Sequence, residues 1–161
     1  MNIRYAENDT DIEIIRKLFV EYAESLGYNL CFQGFNEELK TLPGKYSAPE
    51  GILLLAEVSG RIAGCVALRK IGEGICEMKR LYVKPQFRGL GLGKALAVRI
   101  IDEGKKLDYK IMRLDTLDIL EKAIQIYQQL GFRKVSPYYD NPLPGVTYWE
   151  LELKNSVLTK I

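Results

Sequence analysis

The chain has 161 residues, 47% of them hydrophobic and 27% charged, which suits one globular domain spanning 1–161 with a full core. Its 23 basic and 21 acidic residues leave a net charge of +2 and form no basic block of the kind that nucleic acid requires. There is no histidine, so histidine-based triads and histidine metal ligands are excluded. Cys31, Cys65 and Cys76 are scattered and odd in number, which argues against both a disulfide framework and a zinc site. The N-terminus lacks an apolar leader, and the longest apolar run, residues 52–56, is far too short to span a bilayer. The expectation is a cytoplasmic protein with no metal, no membrane and no nucleic-acid partner.

Residues 2–5 read as a short opening strand. A helix follows, with Thr10 and Glu13 in capping-box spacing. Ile12, Ile15, Leu18, Phe19, Tyr22 and Leu26 recur at helical intervals, and Gly27 is a natural stop. A second short helix is expected over 36–42, then a loop containing Pro43, Gly44 and Pro49. Three strands come next, over 52–58, 61–69 and 75–83, joined by turns at Ser59-Gly60 and at residues 72–74, and so predicted to form an antiparallel meander. Beyond Pro85 the pattern changes to a glycine-rich turn and a helix with Leu92, Leu96, Ile100 and Leu107 on its buried stripe. Residues 110–114 form a strand, and Asp118 is placed to cap a helix striped by Leu120, Ala123, Ile124, Tyr127 and Leu130. After Gly131 come a short strand over 132–135, a Pro-rich loop and a closing strand over 146–153. Strands that first meander and then alternate with helices predict an α/β fold: a mixed, mostly antiparallel sheet with helices on both faces.

The turn Arg88-Gly89-Leu90-Gly91-Leu92-Gly93-Lys94 is the most informative segment. Between a strand and a helix, such a turn converges backbone N–H groups on an anion, and the helix dipole adds to the attraction. Arg88 and Lys94 flank it and add charge-assisted contacts suited to a pyrophosphate. A Walker A loop fails here, with Arg88 where its first glycine belongs and Ala95 where its hydroxyl belongs; this argues against an ATP site. A dinucleotide fingerprint fails at Lys94, where a third glycine is needed. The bland alternative is a turn that only permits close packing.

The sequence around this turn, EMKRLYVKPQFRGLGLGKAL, with Arg88-x-x-Gly91-x-Gly93 inside it, resembles the strand–loop–helix signature of the GNAT family of acyl-CoA N-acyltransferases. Further on, AIQIYQQLGF resembles the second signature of that family, the helix ending in Tyr-x-x-Leu-Gly-Phe. The resemblance covers most of the chain. It implies the GNAT fold, acetyl-CoA as acetyl donor, and an N-acetyltransferase that moves an acetyl group to a primary amine by direct transfer in a ternary complex. The acceptor, a small molecule or a peptide, is not specified, and a homodimer is compatible with the chain.

The resemblance also implies roles. Leu81, Tyr82 and Val83 would pair with the pantetheine arm, and Arg88, Gly89, Leu90, Gly91, Gly93 and Lys94 would hold the pyrophosphate. The N–H of Leu81 would stabilise an oxyanion. Glu77 falls where several members carry a catalytic glutamate. It shares a strand face with Lys79, so an ordinary Glu–Lys surface pair is the competing reading. Tyr127 occupies the position of the tyrosine that protonates the leaving thiolate and touches the cofactor; a core tyrosine is the alternative. Many members carry Asn where this chain has Leu120, which leaves a cofactor contact to be supplied elsewhere, with Thr116 and Asp118 as candidates. Tyr22, Phe32, Gln33, Tyr138, Tyr139 and Asn141 are the acceptor-site candidates. Cys76 is expected in the core, facing away from Glu77, and Trp149 likewise. The rival to an enzyme is a non-catalytic CoA-binding sensor or interaction module.

Overall fold

The computed structural model describes residues 1–27 and 34–153. In chain order the elements are β1 (Asn2–Tyr5), α1 (Asp9–Leu26), α2 (Phe35–Thr41), β2 (Ile52–Val58), β3 (Arg61–Gly72), β4 (Ile75–Val83), α3 (Leu92–Lys106), β5 (Ile111–Leu117), α4 (Glu121–Gln129), β6 (Arg133–Val135) and β7 (Val146–Glu152). The strands form one sheet in the order β1-β2-β3-β4-β5-β7-β6. Every pairing is antiparallel except β4 with β5. The exception has a topological cause: α3 separates β4 from β5 and returns the chain to run alongside β4, as a crossover helix does.

Both sheet faces are covered. On one, Leu54, Val66, Leu68, Cys76, Met78, Met112 and Leu114 pack against Leu92, Leu96 and Ile100 of α3 and Tyr127 of α4. On the other, Leu53, Leu55, Cys65, Ala67 and Tyr82 pack against Ile15, Leu18 and Phe19 of α1 and Phe35 of α2. Covering on both faces explains why β2 reads as an uninterrupted apolar run rather than an alternating one. Cys76 and Trp149 are buried in the first core, as the sequence predicts.

Local departures from the sequence reading have local causes. The cap of α1 is Asn8, not Thr10: its extended backbone lets the side-chain Oδ1 accept from the N–H of Asp11 at 2.9 Å, while Thr10 already lies inside the helix. Gly27 closes α1 in the left-handed conformation, φ 70°. Leu107 lies past the last turn of α3 and is partly exposed rather than part of the stripe. Asp118 does not cap α4, which starts at Glu121 after Leu120; its N–H is instead bonded to the carbonyl of Gly145 at 2.8 Å.

Candidate active site

The site begins where the parallel pair comes apart. β4 and β5 pair only through Ile75–Ile111, Cys76–Met112 and Glu77–Arg113. Beyond that point both strands continue unpaired with each other, β4 to Val83 and β5 to Leu117. A bulge in β4 helps to turn its end away. The register against β3 slips between Cys65–Tyr82 and Ala67–Lys79, and Arg80 takes up the extra residue at φ 59°. That conformation is costly for a residue with a Cβ. It is held by the buried Arg80 guanidinium, bound to both carboxylate oxygens of Glu38 at 3.0 and 3.1 Å and stacked near the rings of Phe19, Tyr22 and Phe35.

The opening between the strands is a passage through the sheet. Its narrow cavity, about 70 Å³, is lined from the α4 face by Ala123 and Tyr127 and from the α1 face by Tyr22 and Asn141. A second, wider groove of about 460 Å³ runs from the same region along the glycine turn, past Leu81, Tyr82 and Val83 to Arg88 and Lys94. Leu81, Leu120 and Ala123, with Tyr22 and Leu26 of α1, line both spaces, so the two meet there.

The glycine turn has the geometry of an anion cradle. Gly89 and Gly91 have φ of 85° and 80°, and Gly91 is the N-cap of α3 with no side chain to satisfy the first turn. No N–H from Gly89 to Lys94 has a hydrogen-bond acceptor among the described residues. Consecutive unsatisfied donors at the start of a 15-residue helix make a site for phosphate oxygens. Arg88 is fixed beside it by a bond from Nε to the Val83 carbonyl at 3.0 Å, and Lys122 of α4 joins Lys94 on the rim. A pyrophosphate on a pantetheine arm therefore fits the residues present: donors and cations at one end, the unpaired β4 edge in the middle, the passage at the other.

Tyr127 reaches the passage from α4. Its ring packs edge-on to Phe132 at 5.7 Å, and its hydroxyl has no hydrogen-bond partner among the described residues. Burial, with Tyr22 and Asp115 nearby, pushes the phenol pKa well above its ordinary value. At neutral pH the group is protonated and can donate.

Glu77 is not the surface residue of the competing reading. It is only 1% exposed, and both carboxylate oxygens are engaged: Oε1 accepts from Arg69 Nε at 2.8 Å, Oε2 from the hydroxyl of Tyr138 at 2.5 Å. Both neighbours are strong donors, so Glu77 anchors a wall of the site. On the same sheet face, Asp115 of β5 accepts at Oδ2 from the Tyr139 hydroxyl and from Asn141 Nδ2 at 2.8 Å. Arg113 Nε binds Glu150 at 3.0 Å, and its guanidinium lies over the Tyr138 ring. Tyr138, Tyr139 and Tyr148 pack ring against ring at 5.3 to 5.8 Å. Lys79, buried at 6% exposure, lines the passage, and burial followed by the nearby Arg80 pulls its pKa down to about 8.

Residues 13–132 match the Acetyltransferase (GNAT) family. The chain belongs to that family. It is 45% identical over 145 residues to an uncharacterised N-acetyltransferase of Schizosaccharomyces pombe, covering 89% of each chain. It is also 32% identical over 129 residues to N-acetylaspartate synthetase of Danio rerio, covering 79% of this chain and 45% of that one. In fold it is similar to a GNAT acetyltransferase of Staphylococcus aureus, with a TM-score of 0.77 at 21% identity covering 95% of this chain and 99% of the other. A Salmonella typhimurium protein solved with its cofactor acetyl-CoA aligns at a TM-score of 0.72 and 19% identity, covering 96% and 95%. The protein is an N-acetyltransferase, and acetyl-CoA is its acetyl donor.

In this GNAT protein the sequence-predicted residues divide into groups. Leu81, Tyr82, Val83, Arg88, Gly89, Gly91, Gly93 and Lys94 all line the wide groove, whereas Leu90 points outward and is exposed. Tyr127 stands at the passage rather than in the groove. Tyr22 and Asn141 line the passage; Tyr138 and Tyr139 lie behind it, bonded to Glu77 and Asp115. Phe32 and Gln33 fall outside the described residues. Thr116 lines the passage and Asp118 does not. The sequence reading missed Arg69, Arg80, Asp115 and Lys122. The hairpin spacing of β3 and β4 carried a signal for Arg69, the cross-strand neighbour of Glu77; nothing local marked Asp115. Among the described residues, no helix is long and apolar enough to cross a membrane.

Proposed function

We propose that this N-acetyltransferase passes the acetyl group directly to a primary amine while donor and acceptor are bound together, across the opening between β4 and β5. The observation that carries this reading is that the groove and the passage meet at Leu81, with the glycine turn, Arg88 and Lys94 along the groove and Asp115, Tyr127 and Asn141 in the passage. One continuous sheet bears both sides, which supports a single catalytic domain.

Acetyl-CoA bound in the groove supplies an acetyl group activated as a thioester. The glycine turn, Arg88 and Lys94 hold its phosphates, with Lys122 on the rim, and the free edge of β4 orients its arm. The N–H of Leu81, just past the bulge, is the donor for the carbonyl oxygen as negative charge builds there. An acceptor ammonium must first lose a proton; the neutral nitrogen then forms the C–N bond, the C–S bond breaks, and the nitrogen gives up a second proton. Tyr127 donates its phenolic proton to the departing sulfur and is reprotonated from solvent. Glu77 positions Arg69 and Tyr138. A covalent relay through cysteine finds no support among the described residues: Cys65 and Cys76 are buried in the two cores, and burial pushes the Cys76 thiol up to about 12 and that of Cys65 higher still.

The acceptor is a primary amine. The name N-acetylaspartate synthetase, borne by relatives sharing up to 32% identity, puts the amine of an amino acid among the acceptors to test. Calorimetric titration with acetyl-CoA, ATP and NAD, followed by initial rates with both substrates varied, tests the scheme. Binding of acetyl-CoA alone and intersecting double-reciprocal lines are expected; parallel lines would mean a covalent acetyl-enzyme and overturn direct transfer.

A further inference from the structure

Among the described residues, a single carboxylate lines the passage, that of Asp115 on β5. Glu77, which the family resemblance offers as the catalytic carboxylate, is absent from that lining and has both oxygens engaged, by Arg69 and Tyr138. Asp115 is half-buried and held differently. Its Oδ2 accepts from the Tyr139 hydroxyl and from Asn141 Nδ2 at 2.8 Å, while Oδ1 has no hydrogen-bond partner among the described residues. Two donors on one oxygen fix the carboxylate and leave the other for a ligand. Its charge is felt by Tyr22 of α1, Lys79 of β4 and Tyr127 of α4, and by Tyr138, Tyr139 and Tyr148. Asp115 thus stands at the same opening as the hydroxyl that serves the leaving sulfur.

Acetyl transfer to an ammonium needs a proton acceptor at this place, and the chain has no histidine. The other ionisable groups on the lining do not serve. Arg80 is a guanidinium bound to Glu38. Lys79, with its pKa pulled down to about 8, is still mostly protonated at pH 7. Burial pushes up the phenol pKa values of Tyr22 and Tyr127, so both are protonated too.

Resting on acetyl transfer at this opening, we propose that Asp115 is the catalytic residue for the acceptor amine: its Oδ1 receives the ammonium and, once the nitrogen has bonded to the acetyl carbon, takes the proton that the nitrogen sheds. The first proton of the ammonium leaves to water, because a carboxylate is a far weaker base than an alkylamine. The neutral nitrogen then forms the C–N bond. The adduct nitrogen is positively charged and joined to an electron-poor carbon, which makes it acidic enough for a carboxylate to deprotonate. The C–S bond breaks, and the sulfur takes its proton from Tyr127, which is reprotonated from solvent. Asp115 returns its proton to solvent, a route that its half-buried position leaves open. One proton is released for each acetyl group transferred.

The test compares wild type, Asp115→Asn and Asp115→Ala in the full chain, read as CoA thiol release. The acceptor probe is whichever of the free amino acids, the short unbranched alkylamines and hydroxylamine the wild type turns over fastest. Asp115→Asn preserves the shape of the side chain and an oxygen for Tyr139. Its kcat/KM should fall about 100- to 10,000-fold, with KM for the amine raised and acetyl-CoA affinity, by calorimetry, unchanged. Formate or acetate in the buffer should raise the rate of Asp115→Ala at least about tenfold and leave Tyr127→Phe unmoved. A residue that only braces the fold is not replaced by a dissolved carboxylate. A kcat/KM for Asp115→Asn within about threefold of wild type overturns the proposal, and so does an Asp115→Ala defect that neither anion relieves. Turnover of none of these probes by a chain that binds acetyl-CoA also overturns it, because hydroxylamine is small enough to reach Asp115 whatever the natural acceptor. Failure to bind acetyl-CoA would instead remove the donor site on which the proposal rests.

Discussion

Replacing Tyr127 by Phe separates a catalytic tyrosine from a core one. The substitution removes a single hydroxyl that has no hydrogen-bond partner among the described residues, so no protein hydrogen bond is lost. The ring keeps its edge-on contact with Phe132 at 5.7 Å. The expected stability change is within about 0.5 kcal/mol, and Tm should move by no more than about 2 °C. Acetyl-CoA affinity should likewise hold, because Tyr127 does not line the groove that receives the phosphates. Turnover is another matter. A positioned general acid contributes roughly 100- to 10,000-fold, or about 3 to 5 kcal/mol of barrier. The raised phenol pKa means that the wild-type group is protonated across the whole physiological range, so the defect should not be rescued by shifting pH between about 6 and 9. The assay is the steady-state rate of CoA thiol release with saturating acceptor, beside calorimetric acetyl-CoA affinity and thermal unfolding on the same preparation. A kcat within about threefold of wild type would refute the reasoning, because Tyr127 would then be a packing residue and the sulfur would take its proton from water.

Other substitutions probe the remaining parts. Gly91→Val forces a β-branched residue to φ 80°, a strain of at least about 1–2 kcal/mol, with nothing within 4 Å for the Cβ to strike; acetyl-CoA affinity measured by calorimetry should fall about tenfold or more through misaimed N–H donors, and an unchanged Kd would move the phosphate site elsewhere. Glu77→Gln strips the half-buried Arg69 of its anion, which should cost about 1–3 kcal/mol and raise the acceptor KM while the pH–rate profile keeps its shape. Loss of that profile's acid limb would instead make Glu77 the proton acceptor. Lys79 faces Glu77 and Arg80 on β4, Arg69 on β3 and Asp115 on β5. Its pKa falls from 10.5 to about 8 on folding, so between pH 8 and 10.5 the unfolded chain holds more protons and wild-type stability rises with pH. Lys79→Met, which escapes that penalty, should be more stable by roughly 3 kcal/mol below pH 8, with the gain vanishing near pH 10.5. Denaturant melts at pH 7 and pH 10 that show equal gains would mean that Lys79 is solvated in the folded chain.

The features the sequence determined alone are those whose physics is local. The glycine turn is legible because only glycine adopts φ near 80° at Gly89 and Gly91 without strain, and the stripes of α1 and α3 because a helix repeats its buried face every three or four residues. The meander of β2, β3 and β4 follows from short turns. Where a local rule allowed more than one register, tertiary context chose: Asn8 took the cap that Thr10 also offered, and Asp118 was drawn to Gly145 instead of capping α4. The active site is mostly of the second kind. Glu77 reads in the sequence either as a catalytic carboxylate or as half of a surface pair with Lys79 on one strand face, and becomes an anchor only because Arg69 and Tyr138 arrive from other elements to satisfy both its oxygens. Nothing in the neighbourhood of Asp115 sets it opposite Lys79. That opposition exists because α3 carries the chain back to pair with β4 for three residues and no further, and where two paired strands part, the side chains on their banks are decided by the register of the whole sheet.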